Sequence, residues 1–179
     1  MQDEIIVNGK RFRKSMPSEK IQTRVAEVAQ QINTDLKGKD VIFLGILNGS
    51  FMFTADLLKS IDLPCKISFV KFSSYQGQTS TGKVRELIGL NEDVKGKDIV
   101  IVEDIIDTGN TIVDLLEYLK KFEPAAVHIA TLMYKPDVCK KQIDIKYCGF
   151  SIPNDFIVGY GLDFDGYGRN YKDIYTIAE

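Results

Sequence analysis

The chain has 179 residues, 44% of them hydrophobic and 27% charged, which is the balance of one compact domain rather than two. A chain of this size buries roughly 70% of the surface its unfolded form exposes, enough for an apolar core and a preformed pocket. With 23 basic against 25 acidic residues the formal net charge is −2, which speaks against a dominant nucleic-acid or membrane-surface role and requires any anion site to be built locally.

The three cysteines, Cys65, Cys139 and Cys148, are odd in number and form no C-x-x-C pair. Neither a disulfide framework nor a structural zinc site is expected, and a reducing cytoplasm fits best. Met1 to Lys10 is mixed and polar, and no apolar run approaches the ~20 residues of a membrane span, so no leader or anchor is expected.

After a short apolar start at Ile5 to Val7, the residues Ile21, Val25, Val28 and Ile32 recur at helical spacing between Pro17-Ser18 and Gly38. Val41 to Leu47 is a continuous apolar run, as in a strand buried on both faces, and Asn48-Gly49-Ser50 leads it into a helical FMFTADLLK pattern. Lys66 to Phe72 reads as a strand, Ser73 to Lys83 as a polar loop, and Val84 to Leu90 as a weaker apolar segment. Asp98 to Val102 is the next buried strand, and Ile112, Leu115, Leu116 and Leu119 form a helical face. Ala126 to Tyr134 is again strand-like, followed by short strands near Tyr147 to Phe150 and near Ile174, with a glycine- and aromatic-rich segment, Phe156 to Arg169, between them. Strands alternating with helices imply βαβ units, hence a mainly parallel twisted sheet with helices on both faces. Ligands in such sheets bind beyond the carboxyl ends of the strands, which directs attention to Leu47 to Ser50, Glu103 to Thr111, Lys135 and Phe156 to Asp163.

The densest chemistry lies in IVIVEDIIDTGNTI, Ile99 to Ile112. A buried strand ends in Glu103 and Asp104, passes two isoleucines to Asp107, and enters a helix through Thr108, Gly109, Asn110 and Thr111. Gly109 lets the backbone approach a ligand, the threonines offer hydroxyls, and the free N–H groups and positive end of the helix suit a phosphate. The two acids can accept hydrogen bonds from the vicinal hydroxyls of a sugar. Taken singly, Thr111 and Asp114 also suit a capping box and the acids a solvated turn; together the residues favour a site.

The segment VEDIIDTGNT closely resembles the phosphoribosyl-diphosphate signature of the type I phosphoribosyltransferases, in the form typical of the hypoxanthine-guanine group. LNGSFMFTADL, SSY with its polar loop, MYKPD and FIVGYGLDFDGYGR resemble the other family segments in the family's order, so the likeness extends from Leu47 to Arg169. It implies an α/β fold in which a mainly parallel sheet flanked by helices carries a small hood built from the N- and C-terminal segments, all within a single domain over 1–179. It also implies Mg²⁺-dependent transfer of a 5-phosphoribosyl group from phosphoribosyl diphosphate to hypoxanthine or guanine, giving a nucleoside monophosphate and diphosphate in purine salvage. Homo-oligomers, dimers or tetramers, are usual in the family.

Residue by residue, the resemblance implies that Glu103 and Asp104 hold the ribose hydroxyls directly or through metal-bound water. Thr108, Gly109, Asn110 and Thr111, beginning beside Asp107, would cradle the 5′-phosphate. Asp107 would lie near N7 of the purine, where a carboxylate can accept the proton released as N9 attacks the anomeric carbon. Leu47, Asn48 and Gly49 resemble the diphosphate loop, with a cis peptide expected between Leu47 and Asn48, and Arg169 resembles a diphosphate-contacting arginine. Many members carry a basic residue where this chain has Asn48, so a charge is missing from that loop. Lys135 matches the lysine that bonds O6 of the base, Phe156 the aromatic that stacks on it, and backbone near Ile157 would read its edge. Asp163, at the purine and diphosphate end, resembles a second metal ligand beside Glu103 and Asp104. Ser74 and Tyr75 match the pair that begins a flexible flap. Without these neighbours Lys135 reads as a snorkelling surface residue, Phe156 as core, and Asp163 as a turn acid.

Two motifs mislead. Gly77 to Lys83 reads G-x-x-x-x-G-K, but Val84 stands where a P-loop needs Ser or Thr, and Asp163 to Gly166 lacks the late glycine and closing Glu of a calcium loop. His128, mid-strand among apolar residues, is expected to be structural. Two other functions share this fold: a regulatory RNA-binding protein, which calls for a basic face the scattered lysines do not suggest, and a transferase preferring xanthine, which differs only in contacts at the C2 side of the base.

Overall fold

The computed structural model describes residues 3–73 and 85–178. In chain order these form β1 (Glu4–Val7), β2 (Lys10–Met16), α1 (Ser18–Asp35), β3 (Val41–Ile46), α2 (Phe51–Lys59), β4 (Cys65–Ser73), β5 (Arg85–Ile88), β6 (Asp98–Ile106), α3 (Asn110–Lys120), β7 (Ala126–Tyr134), β8 (Tyr147–Ser151), β9 (Ile157–Val158) and β10 (Ile174–Ile177). The main sheet has the order β5-β4-β3-β6-β7-β8; its pairs are parallel except for β5, which closes one edge antiparallel to β4. The alternation of apolar strands with helices thus gives the expected architecture.

Every residue of β3 is buried, because helices cover both faces of the sheet. On one face Val41, Phe43, Val100 and Val102 pack against Ile21, Val25, Val28 and Ile32 of α1 and Phe53 and Leu57 of α2. On the other, Ile42, Leu44, Ile99 and Ile101 meet Ile112, Leu115 and Leu119 of α3. Adjacent strand residues belong to opposite clusters, as the period-2 alternation of a strand requires. Among the described residues no helix is long and apolar enough to cross a membrane.

The terminal segments form a second, antiparallel sheet of order β1-β2-β10-β9, with Ile5, Val7, Phe12, Val158 and Tyr175 as its own small core. This is the expected hood. It is fixed to the main body through Asp173, which is buried just before β10. Pro17 precedes α1 and offers no side-chain cap, so the Ser18 N–H donates instead to Asp173 Oδ1 at 2.7 Å, while Lys14 Nζ lies 2.9 Å from Oδ2. Burial opposes the charge on Asp173, but hydrogen bonds from Lys14 and the Ser18 N–H outweigh it and hold the carboxyl below its usual range. A depressed folded-state pKa contributes stability above the unfolded value of about 4, and the contribution is lost as pH falls through the folded value. We therefore expect Asp173→Asn to cost roughly 1–3 kcal/mol in urea unfolding at pH 7. The gap between the two proteins should narrow as the pH falls below about 4. A gap independent of pH would show that the charge plays no part.

Two sequence expectations need correction. The strand carrying the acids does not end at Val102: β6 runs on to Ile106, so Glu103 and Asp104 lie within it. β3 pairs with β6 only as far as Val102, whereas β7 continues the ladder on the other side to Ile106 opposite Tyr134, and that one-sided pairing keeps the acids extended. The capping box at Thr111 and Asp114 does not form. Gly109, at φ 83°, takes the N-cap position and α3 begins at Asn110. A Cβ at Gly109 would also crowd the end of the Ile143 side chain at 2.5 Å, but it is the left-handed backbone conformation that requires glycine there.

Candidate active site

The direction of the chain across the sheet changes between β3 and β6: β3 is followed by β4 on one side, and β6 by β7 on the other. The crevice beyond the carboxyl ends of such a pair is where open α/β sheets bind ligands. Leu47 to Ser50 leaves β3 there and Asp107 to Thr111 leaves β6, so the two glycine-bearing turns are neighbours. The Leu47–Asn48 peptide is cis, as expected. Gly49 packs so closely on Asp104 that a Cβ would overlap the carboxylate, and a Cβ at Gly161 would overlap the Gly49 carbonyl. Three chain segments far apart in sequence therefore meet at one glycine.

Glu103 and Asp104 are both buried. Burial pushes the Glu103 carboxyl well above the ordinary range, and the adjacent charge of Asp104 adds to the rise. Asp104 is raised too, by burial, although hydrogen bonds from Glu103 and the Ile105 N–H, and the charge of Arg169, pull it back. Burial thus disfavours charge on both carboxyls, which titrate as a pair. Asp104 Oδ1 accepts the Ile105 N–H at 2.9 Å. Two carboxyls withdrawn from water this close together suit a ligand that brings hydroxyl donors or a cation.

On the β7 side of the crevice, Lys135 is buried, with Nζ 3.5 Å from Asp107 Oδ2 and 3.4 Å from Asn154 Oδ1. The Lys135 N–H donates to the Ile106 carbonyl at 3.0 Å, which places the lysine beside the end of β6. A snorkelling surface lysine would not be buried in this way, so the pairing of Lys135 with Asp107 favours the site reading. Phe156 is 45% exposed rather than core; its ring lies against Phe12 and Phe164, with centroids at 6.3 and 5.6 Å, leaving part of its surface open. Ile157 is buried in β9 opposite Thr176.

Asp163 and Arg169 lie in the loop that passes Gly49. Arg169 Nη2 is 2.6 Å from Asp163 Oδ1, its Nη1 donates to the Gly161 carbonyl at 2.7 Å, and Asp163 Oδ2 accepts the Gly166 N–H. This is a turn, not a calcium loop. Thr108 to Thr111 form the entry to α3, with the Asn110 N–H 3.5 Å from Thr108 Oγ1. Ser74, Tyr75 and the P-loop-like stretch lie outside the described residues. His128 bonds Asp98 at 3.0 Å at the opposite end of the strands from the crevice, as befits a structural residue.

Sequence reasoning missed Asn154, Gly161 and Lys71. Asn154 holds Lys135 from the segment after β8, Gly161 abuts Gly49, and Lys71 reaches Asn48 from β4. Each acts through a contact between distant segments, and the only local signal was the glycine-rich character around Gly161.

Residues 17–165 match the model of the phosphoribosyl transferase domain family. The chain is 41% identical over 167 residues to the hypoxanthine phosphoribosyltransferase of Escherichia coli strain K12, covering 92% of each. It is 40% identical over 170 residues to the hypoxanthine-guanine phosphoribosyltransferase of Mycobacterium avium, covering 91% of this chain and 82% of that protein. A solved hypoxanthine phosphoribosyltransferase from Staphylococcus aureus superposes with a TM-score of 0.88 at 39% identity, covering 93% of this chain and 91% of that one. With the crevice between β3 and β6, these likenesses show that the chain belongs to the phosphoribosyl transferase domain family.

Proposed function

We propose that this protein is a purine-salvage transferase that moves the 5-phosphoribosyl group of phosphoribosyl diphosphate onto N9 of hypoxanthine or guanine and releases diphosphate. The observation that carries the reading is the buried Lys135 ammonium held between Asp107 and Asn154 at the mouth of the crevice. A fixed donor there bonds the O6 carbonyl of an oxopurine, while the 6-amino group of adenine offers it no such acceptor. Phe156 supplies a half-open ring for the face of the base, and backbone around Ile157 its edge.

The other residues divide the rest of the substrate among them. The entry to α3, Thr108 to Thr111, takes the 5′-phosphate on backbone N–H groups and hydroxyls. Asp104 accepts from a ribose hydroxyl, with Glu103 beside it. Leu47 to Gly49 and Arg169 hold the diphosphate, Arg169 exchanging part of its bond to Asp163 for the anion. As the N9–C1′ bond forms, the C1′–O bond breaks and its electron pair leaves with diphosphate; the purine proton passes to Asp107. Catalysis then rests on positioning and on charge stabilisation of an oxocarbenium-like transition state.

The donor set also fits the family's Mg²⁺. Among the described residues no three His, Cys, Asp or Glu side chains gather as a metal cage; Glu103 and Asp104 would offer oxygen donors from β6, Asp163 another on leaving Arg169 and the Gly166 N–H, and substrate oxygens and water the rest. When bound, Mg²⁺ neutralises diphosphate charge. We read 1–179 as one folding unit, homo-oligomeric and cytoplasmic; the free thiols of Cys65, Cys139 and Cys148 accord with a reducing compartment. Ser74 and Tyr75 would begin its flap.

A steady-state assay with phosphoribosyl diphosphate, Mg²⁺ and each of hypoxanthine, guanine, xanthine and adenine tests the proposal. Hypoxanthine and guanine should turn over and adenine should not. Lys135→Met should raise the KM for hypoxanthine roughly 10- to 100-fold, the cost of one charge-assisted hydrogen bond. Equal use of adenine, or binding of RNA without any turnover, would overturn the assignment.

A further inference from the structure

We propose that Lys71, on β4, is a diphosphate-binding residue that delivers to the Asn48 loop the positive charge that the loop itself lacks. The inference rests on the transferase reading of this crevice and names a contact within it.

β4 runs parallel to β3 as far as Val70 opposite Ile46, and the Leu47 N–H then donates to the Val70 carbonyl at 2.8 Å. Lys71 is the next residue, so its backbone passes beside the cis peptide at Leu47–Asn48. Strand alternation fixes its face. Val70 belongs to the cluster on the α3 side, whereas Phe69 meets Gly45 on the α2 side. Lys71, two residues after Phe69, lies on the α2 side, where the chain turns through Asn48 and Gly49 into α2. Its Nζ reaches Asn48 Oδ1 at 3.2 Å.

Charge is scarce here. Gly49 is pressed against Asp104, so an incoming diphosphate meets a carboxylate on that side. Arg169 spends its guanidinium on Asp163 Oδ1 and the Gly161 carbonyl. Lys71 bonds a neutral amide oxygen at Asn48, which leaves its charge without a carboxylate partner among the described residues. An ammonium has three donors, so one can keep the Asn48 side chain in place while the others face an anionic oxygen. The same bond turns the Asn48 amide so that its NH₂ group is the end left for the ligand. A polar Asn48 and a basic Lys71 thereby act as one cationic unit split between two strands.

Calorimetric titration of the full chain with inorganic diphosphate, in Mg²⁺ buffer, reads this contact without requiring turnover. Lys71→Met should weaken diphosphate binding roughly 10-fold or more, and Lys71→Arg should stay within a few-fold of the parent. Binding of inosine 5′-monophosphate, whose phosphate belongs at Thr108 to Thr111, should be unchanged in both. Adding Asn48→Lys to Lys71→Met should recover most of the loss by returning the charge to the loop itself. Unchanged diphosphate affinity in Lys71→Met overturns the proposal, and so does an equal loss of nucleotide and diphosphate binding, which would mark a structural role. Failure of the transferase reading would appear separately, as a parent protein that turns over no base.

Discussion

Gly49→Ala should lower kcat/KM for phosphoribosyl diphosphate roughly a hundredfold or more, since misplacing a substrate by about an ångström costs that much. The single methyl group has nowhere to go: it overlaps the Asp104 carboxylate, while the Gly49 carbonyl is already closed in by Gly161. Asp104 cannot retreat freely, because it is buried and its Oδ1 is tied to the Ile105 N–H. The variant should therefore push Asp104, the 47–50 turn and the 159–169 loop apart together. Pairing it with Asp104→Ala separates this account from general damage. If the methyl group acts through the carboxylate, the double variant should be little worse than Asp104→Ala alone, a large departure from additivity. Losses that simply multiply would show that the contact between Gly49 and Asp104 is not the source.

The strands and helices of the main sheet could be read from the chain because each buries an apolar face with its own period. β3 is apolar throughout, and Ile112, Leu115 and Leu119 mark one side of α3. The site residues on β6 and its turn could be read for a similar reason: Glu103, Asp104, Asp107 and Gly109 are consecutive enough to act as one motif. Legibility ended where function depends on contacts across segments. No periodicity tells Asn154 that it will bond Lys135, or Lys71 that it will meet Asn48. Nor does the sequence reveal that Gly49 needs its missing side chain because of Asp104. That the strand runs past Val102 to Ile106 is hidden for a related reason. Polar residues usually close a buried run, but here the ladder to β7 continues past them and holds two acids inside the sheet.

Asp107→Asn should reduce kcat for hypoxanthine by roughly 10²- to 10⁴-fold, the usual contribution of a positioned proton acceptor. Asp107 stands at the end of β6 with Oδ2 facing the Lys135 ammonium, and an asparagine oxygen can still accept that bond. The variant therefore keeps Lys135 in position for O6 of the base and removes only the capacity to take a proton. Asp107→Ala removes both and should add a rise in the KM for hypoxanthine. The two variants together divide the residue's work: a shared loss in kcat belongs to proton transfer, and the extra rise in KM belongs to holding Lys135. Full kcat in Asp107→Asn would mean that the purine proton leaves directly to water and that Asp107 serves only to orient the lysine. An equal rise of KM in both variants would instead show that the bond to Lys135 depends on the carboxylate charge, since the asparagine oxygen offers the same acceptor without it.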